Sequence, residues 1–169
     1  MIKLAVSGSQ GRMGQRITQL ALADRTFKLS ALLEHKDHPK INTKLNNITI
    51  SSDADNIKGS DVLIEFTLPD ATMENLKAAV KHKVRMVIGT TGLNPKQIAQ
   101  IKTASRKIPI VFSSNMSVRV NIVFKLVEIA AGKTGKTYTI NITEAHHIHK
   151  KDAPSGTAKT LAEYAEKYS

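Results

Sequence analysis

Along the chain, short apolar runs alternate with segments that repeat every three to four positions, the pattern of β-strands separated by crossover helices. Ile2-Lys3-Leu4-Ala5-Val6 predicts a first strand and residues 7–11 a Gly/Ser turn. A helix follows over about 12–24, with Met13, Ile17, Leu20 and Leu22 on or near one face. Phe27–Leu33 predicts a second strand. Residues 35–59 are polar and loop-like, apart from a short strand-like stretch at Ile48–Ile50. Asp61–Phe66 predicts a third strand, and Pro69 opens a helix at the first-turn position that proline favours.

Val84–Ile88 and Ile108–Phe112 predict strands four and five. Between them, Asn94-Pro95 supplies an N-cap and first-turn proline for a helix running to about Lys107. Further on, a helix is expected over Val118–Ala131, a strand over the alternating Tyr138–Thr143, and a last helix over Ser155–Tyr168. Five parallel strands with crossover helices make an α/β fold: a Rossmann-type, doubly wound parallel sheet. The expected domains are a dinucleotide-binding domain over 1–117 and a smaller one over 118–169.

The 169 residues are 41% apolar and 23% charged, as expected for a folded domain. No run approaches the roughly 18–20 apolar residues of a membrane span. Met1-Ile2-Lys3 leads directly into a strand, so no signal peptide is expected, and the expected location is the cytoplasm. The absence of Cys excludes disulfides, zinc–thiolate sites and a thiol nucleophile. The net charge is +11, and all of the excess lies in residues 76–169, because 1–75 balance. A basic half suits nucleic acid, an anionic small molecule or plain solubility. Seven Phe and Tyr, no Trp and no basic run interleaved with aromatics disfavour a base-stacking platform. An anionic substrate is the favoured reading, without nucleic acid or membrane.

Three groups of residues carry candidate chemistry. Gly8, Gly11 and Gly14, with Arg12 and Met13, lie between a strand and a helix, where a tight turn lets backbone N–H groups reach a pyrophosphate. Their spacing is GxxGxxG, because Ser9 stands where the usual fingerprint has a glycine. Glu34, 20 residues after Gly14, ends the second strand, where an acidic side chain accepts from a ribose 2′-OH. It is equally readable as an exposed charge at a strand end. His35 and Lys36 beside it suit a 2′-phosphate, so both NADH and NADPH are allowed.

The second group comprises Phe66-Thr67, Gly89-Thr90-Thr91 and Ser113–Met116, at the carboxyl ends of strands three to five, where open α/β sheets bind ligands. The third runs from Glu144 to Ala158 and holds three of the six histidines, two lysines, and Ser155-Gly156-Thr157 before the last helix. A cation cluster facing helix N–H groups suits a dianion, and a His or Lys there can deliver a proton. The segment also reads as a solvated basic turn. As a metal site it lacks a spaced carboxylate or Cys, so no metal is expected.

Together these segments resemble the 4-hydroxy-tetrahydrodipicolinate (dihydrodipicolinate) reductase family. The resemblance rests on Gly8…Gly11-Arg12-Met13-Gly14, Glu65-Phe66-Thr67, Gly89-Thr90-Thr91-Gly92, Asn115-Met116-Ser117-Val118, and Glu144-Ala145-His146-His147 through Asp152-Ala153-Pro154-Ser155-Gly156-Thr157-Ala158. It implies a Rossmann domain followed by a smaller α/β substrate domain that forms a homotetramer. It implies hydride transfer from NADH or NADPH to a cyclic dicarboxylate in lysine biosynthesis through diaminopimelate. By resemblance, His146 is the general acid and Lys150 binds and helps protonate substrate. His147, Ser155, Gly156 and Thr157 meet substrate carboxylates. Gly8, Gly11, Arg12, Met13, Gly14, Glu34, Phe66, Thr67, Gly89, Thr90, Thr91, Ser114, Asn115 and Met116 form the cofactor site. Leu68 stands where some members carry a basic residue and Arg119 where the family usually has Gly. The family's substrate domain also extends further than 118–169, so the alternative expectation is a member that binds NAD(P)H with impaired catalysis.

Overall fold

The computed structural model describes residues 1–146, 148 and 153–167. The chain divides into two compact units, 1–112 and 113–169. The first is a seven-stranded sheet flanked by helices. Its strands are β1 (Ile2–Ser7), β2 (Phe27–Leu33), β3 (Lys44–Leu45), β4 (Ile48–Ser51), β5 (Val62–Glu65), β6 (Arg85–Ile88) and β7 (Ile110–Phe112). They lie in the order β3-β4-β2-β1-β5-β6-β7. All pairings are parallel except β3 with β4, and the order reverses direction at β1.

Six parallel strands replace the expected five, because Ile48–Ser51 joins the sheet beside β2 through Leu32–Ile50 and Leu33–Ser51. The hairpin that carries it turns on Asn46 and Asn47, both at positive φ (49° and 63°). Asparagine tolerates that conformation, which two-residue hairpin turns require.

Alternate residues of β1 feed two cores, one on each face of the sheet. Leu4 and Val6 pack with Ala21, Leu29, Leu32 and Ile50 beneath helix α1 (Arg12–Ala23). Ala5 faces the opposite side, with Leu63, Leu76, Met86, Ile88, Ile101 and Ile108, under α2 (Pro69–His82) and α3 (Pro95–Ala104). Each fully buried Leu, Ile or Val contributes roughly 1.5–3 kcal/mol.

Helix α1 does not bury the face its apolar pattern suggests. Met13, Leu20 and Leu22 are exposed, whereas Gly14, Thr18 and Ala21 are buried. Of the four expected residues Ile17 packs against the core, and small side chains fill the rest of the contact with the sheet. Helix α3 begins with the expected cap: Gln97 N donates to Asn94 Oδ1 and Asn94 N to Gln97 Oε1, both at 2.9 Å.

In the second unit, α4 (Val118–Thr134) and α5 (Gly156–Glu166) pack through Phe124 and Tyr164, whose rings stack 5.6 Å apart. Lys167 lies over the Tyr164 ring and pairs with Glu128 at 3.1 Å. The expected strand at Tyr138–Thr143 does not form. Its alternation is present, but Tyr138, Ile140 and Ile142 are exposed, and the described residues of this unit offer no strand to pair with. The described part of the second unit is therefore helical rather than α/β. The division also falls before the expected 117/118 boundary, because the segment after Phe112 is bonded to α5: Ser114 Oγ lies 2.9 Å from Thr160 Oγ1, and Asn115 Nδ2 donates to Thr157 Oγ1 at 3.2 Å.

Candidate functional site

In the first unit the glycine turn sits between β1 and α1, at the carboxyl edge where the strand order reverses. Gly8 has φ +71°, and a Cβ there would strike the Phe66 carbonyl. A Cβ on Gly14 would strike the Gly8 carbonyl and lie 2.8 Å from Ser9 Cα. Gly11 N donates to Gly8 O at 3.0 Å, closing the turn. Glycine is therefore dictated here by contact as well as by backbone angle.

Gly11 caps α1 with no side-chain hydrogen bond, and the first turn holds no acidic residue. The N–H groups that open this helix are left for an anion, and Arg12 and Arg16 lie exposed beside them. Helices α3, α4 and α5, by contrast, carry side-chain caps from Asn94, Ser117 and Ser155.

Glu34, at the end of β2, is bonded to the turn: Gln10 N donates to Oε2 at 2.8 Å and His35 N to Oε1 at 3.0 Å. It is thus a fixed part of the loop's edge, with lone pairs still free to accept.

At the ends of β5 and β6, the Phe66 ring fills the space in front of Gly89, where a Cβ would strike it. Thr67 N donates to Thr90 Oγ1 at 3.0 Å. Thr90 is only 3% exposed, with its hydroxyl turned inward, whereas Thr91 is exposed. Beneath them lies a polar cluster that the sequence did not single out. Glu65 is completely buried and accepts from Thr67 Oγ1, from Thr72 Oγ1 at 3.2 Å and from Asn75 Nδ2 at 2.6 Å. Asn75 Nδ2 also donates to Ser7 Oγ at 2.8 Å, and the Thr72 and Thr90 hydroxyls lie 2.9 Å apart. Burial pushes the Glu65 carboxyl above its ordinary range, with the hydrogen bonds from Thr67, Asn75, Thr72 and Ser7 pulling the other way. Only an acidic residue inside an apolar strand hints at this cluster in the sequence.

In the second unit, Glu144 organises the histidine segment. Ser155 N donates to Oε1 at 2.8 Å, Ser155 Oγ to Oε2 at 2.5 Å, and His146 Nε2 lies 2.8 Å from Oε2. These bonds lower the Glu144 carboxyl to about 2, the Ser155 hydroxyl contributing most, then His146, then the Ser155 N–H. Ser155 Oγ also accepts from Ala158 N at 3.1 Å as the N-cap of α5. Ser155 thus meets a carboxylate of the chain itself, and the first helical N–H groups, on Gly156 and Thr157, remain the ones an external anion would meet. Glu144 borders an open pocket of about 480 Å³ with Ile142, Ala153, Pro154, Ala158, Lys159 and Ala162. Ser114, Asn115 and Thr157 are brought together at the start of α5, and Met116 is exposed. His147 and Lys150 lie outside the described residues. In the sequence Glu144 is marked only by its place in the 144–158 motif, as an acid two residues before a histidine.

No helix among the described residues is long and apolar enough to cross a membrane. The model of the dihydrodipicolinate reductase N-terminus matches residues 2–116, and that of the C-terminus matches 119–168. The 4-hydroxy-tetrahydrodipicolinate reductase of Paraburkholderia phymatum is 43% identical over 170 residues, covering 96% of this chain and 64% of that protein. The reductase of the same name from Syntrophotalea carbinolica is 41% identical over 172 residues, with the same two coverages. The chain therefore spans about 64% of the length of these curated relatives. Among solved structures, dipicolinate-bound dihydrodipicolinate reductase from Paenisporosarcina sp. TG-14 superposes with a TM-score of 0.78 at 26% identity, covering 99% of this chain and 66% of that one. With matching motifs in both units and a matching fold, the chain belongs to the dihydrodipicolinate reductase family.

Proposed function

We propose that this chain binds NADH or NADPH in its first unit and reduces 4-hydroxy-tetrahydrodipicolinate to tetrahydrodipicolinate, a step of lysine biosynthesis through diaminopimelate. The observation that carries this reading is one chain holding both a glycine cradle at an uncapped helix N-terminus and a Glu144–His146–Ser155 cluster at a second helix N-terminus.

The cradle suits a dinucleotide: side chains are excluded at Gly8 and Gly14, and the N–H groups of Arg12 and Met13 are the ones that would receive a pyrophosphate. Arg12 adds charge, and Gly11 gives close backbone approach. Glu34, immobilised by two backbone donors, accepts from a ribose hydroxyl, while Lys36 is the group that would favour a 2′-phosphate. Phe66, Thr67, Gly89 and Thr91 form the rim for the nicotinamide half, with Thr90 acting through Thr67. Ser114, Asn115 and Met116, which lie in the second unit, are assigned to the cofactor by the family resemblance alone. When bound, the dihydronicotinamide supplies a hydride.

The substrate loses a ring hydroxyl as water and gains hydrogen at that carbon, so the leaving oxygen needs a proton. His146 is the group assigned to supply it. A carboxylate only accepts, so His146 Nε2 carries the hydrogen that faces Glu144, and Nδ1 is left as the working atom. Glu144 therefore orients the imidazole, as the third group beside a catalytic pair does. Gly156 and Thr157 N–H groups, the Ser155 cap, His147 and Lys150 are the assigned partners of the two substrate carboxylates. The dipicolinate held by the Paenisporosarcina enzyme is a flat dicarboxylate of this class.

The test is dipicolinate binding by calorimetry to the NADPH-saturated chain. Binding that weakens on His146→Ala, with nucleotide affinity unchanged, is expected. Equal binding by both proteins would remove His146 from the substrate site.

A further inference from the structure

Glu65, Thr72 and Asn75, buried beneath the nicotinamide rim, are used by none of the steps above. Glu65 sits at the end of β5 with no exposure, and the groups that meet its oxygens come from three directions: Ser7 and Asn75 from β1 and α2, Thr72 from α2, and Thr67 from the turn after β5. All are hydroxyls or an amide, with no charged side chain among the described residues within hydrogen-bond reach. A buried carboxyl without a counter-ion is costly, and a hydrophobic residue would fill an interior strand position more cheaply. Its presence calls for a role.

The hydrogen bonds around Glu65 supply one. A carboxylate only accepts, so as an anion Glu65 fixes the direction of every neighbour. Thr67 and Thr72 hydroxyls donate to Oε1, and Asn75 donates one hydrogen to Oε2 and the other to Ser7. Thr90 Oγ1 accepts from Thr67 N and from the Thr72 hydroxyl, whose one hydrogen is shared between Glu65 Oε1 and Thr90 Oγ1. The ring closes on Thr67, held by its backbone on one side and its side chain on the other. If Glu65 carried a proton, one oxygen would become a donor. The Thr67 or Thr72 hydrogen would then turn to the Leu68 carbonyl, which lies 3.2 and 3.1 Å from those two oxygens. The side chain of Thr67 or Thr72 would then be released from Glu65.

We propose that Glu65, as a carboxylate, is a positioning residue of the nucleotide site, locking Thr67, Thr72 and Thr90 into one arrangement and so fixing the rim where the nicotinamide half binds. This deepens the nucleotide-binding reading and rests on it. The raised carboxyl supports the same view, since it brings the change between the two arrangements above the ordinary carboxylate range.

The test is NADPH affinity against pH, by fluorescence titration of wild type, Glu65→Gln, Thr72→Val and Thr72→Ser, each first checked by thermal unfolding. Glutamine has the shape of the protonated acid. E65Q should bind roughly tenfold more weakly than wild type at high pH, and wild type should fall to the level of E65Q as the pH drops. T72V should lose affinity similarly, with T72S restoring it. A purely structural Glu65 would shift the unfolding midpoint and leave the pH profile of binding alone. Wild-type binding matched by E65Q at high pH overturns the inference while leaving the nucleotide reading intact. Should E65Q fail to fold, T72V binding as tightly as wild type overturns it instead. A wild type that binds neither NADPH nor NADH overturns both readings together.

Discussion

Replacing Gly14 by Ala separates two properties that glycine turns usually confound. In a helix interior, Gly→Ala gains about 1 kcal/mol from backbone entropy. Here the added Cβ would lie 2.7 Å from Gly8 C and 2.8 Å from Ser9 Cα, and closer still to the Gly8 carbonyl oxygen. Ordinary carbon contacts are about 3.5–4.0 Å, so the gap is short by about 1 Å. All three atoms are backbone, and no rotamer change relieves them. Either α1 moves back or the 8–11 turn is pushed out, at an overpacking cost of about 1–3 kcal/mol. Net destabilisation is thus small, about 0–2 kcal/mol. A displacement of about 1 Å at the pyrophosphate cradle is far more damaging, with roughly a 100-fold loss of nucleotide affinity expected.

Gly59→Ala is the control. Gly59 has φ +83° and open space around its Cβ, so alanine costs about 1–2 kcal/mol of backbone strain without moving the turn. Thermal unfolding and nucleotide titration of both variants decide the matter. Similar modest losses of stability are expected, with nucleotide binding lost in G14A alone. G14A binding within about threefold of wild type would refute the cradle argument.

Other expectations follow from single observations. The Thr18 hydroxyl is buried without a hydrogen-bond partner among the described residues, so Thr18→Val should stabilise by about 1 kcal/mol, seen as a higher unfolding midpoint. The Glu144 carboxyl is held at about 2, below its ordinary 4.5. Its stabilising effect is therefore complete above 4.5 and fades as the pH falls toward 2. The stability gap between wild type and Glu144→Gln should close over that window, and a gap independent of pH would contradict the Ser155–Glu144–His146 account. His146→Ala should lower turnover by about 10²–10⁴-fold while sparing nucleotide affinity. Helix α4 exposes Val118, Ile122, Leu126 and Ile129, so the chain should bind a hydrophobic dye, and α4 variants carrying serine at those positions should lose the signal.

The parts of this structure that depend on local pattern are those legible in the sequence. Strands β1, β2, β5 and β6 are interior, hydrophobic and bounded by turn residues, and Asn94-Pro95 announces α3 by its own chemistry. The hairpin of β3 and β4 was half visible, since Asn46-Asn47 is a turn signal that a polar stretch obscured. Where partners decide, the pattern misleads. Tyr138–Thr143 alternates like a strand without a neighbour to pair with among the described residues, and α1 buries Gly14 and Ala21 rather than its leucines because the sheet is close. The candidate site divides in the same way. Gly8, Gly14 and Glu34 follow a spacing, whereas Glu65 with Asn75 and Glu144 with Ser155 are joined only by folding, and no spacing rule finds them.

The most direct test of the central claim is the oxidation of NADH and NADPH by the purified chain, followed through the nicotinamide absorbance, with substrate generated in place by the preceding synthase. Oxidation that depends on the synthase and is lost in His146→Ala is the expected result. A chain that binds the nucleotide yet oxidises neither form in the presence of substrate would contradict it.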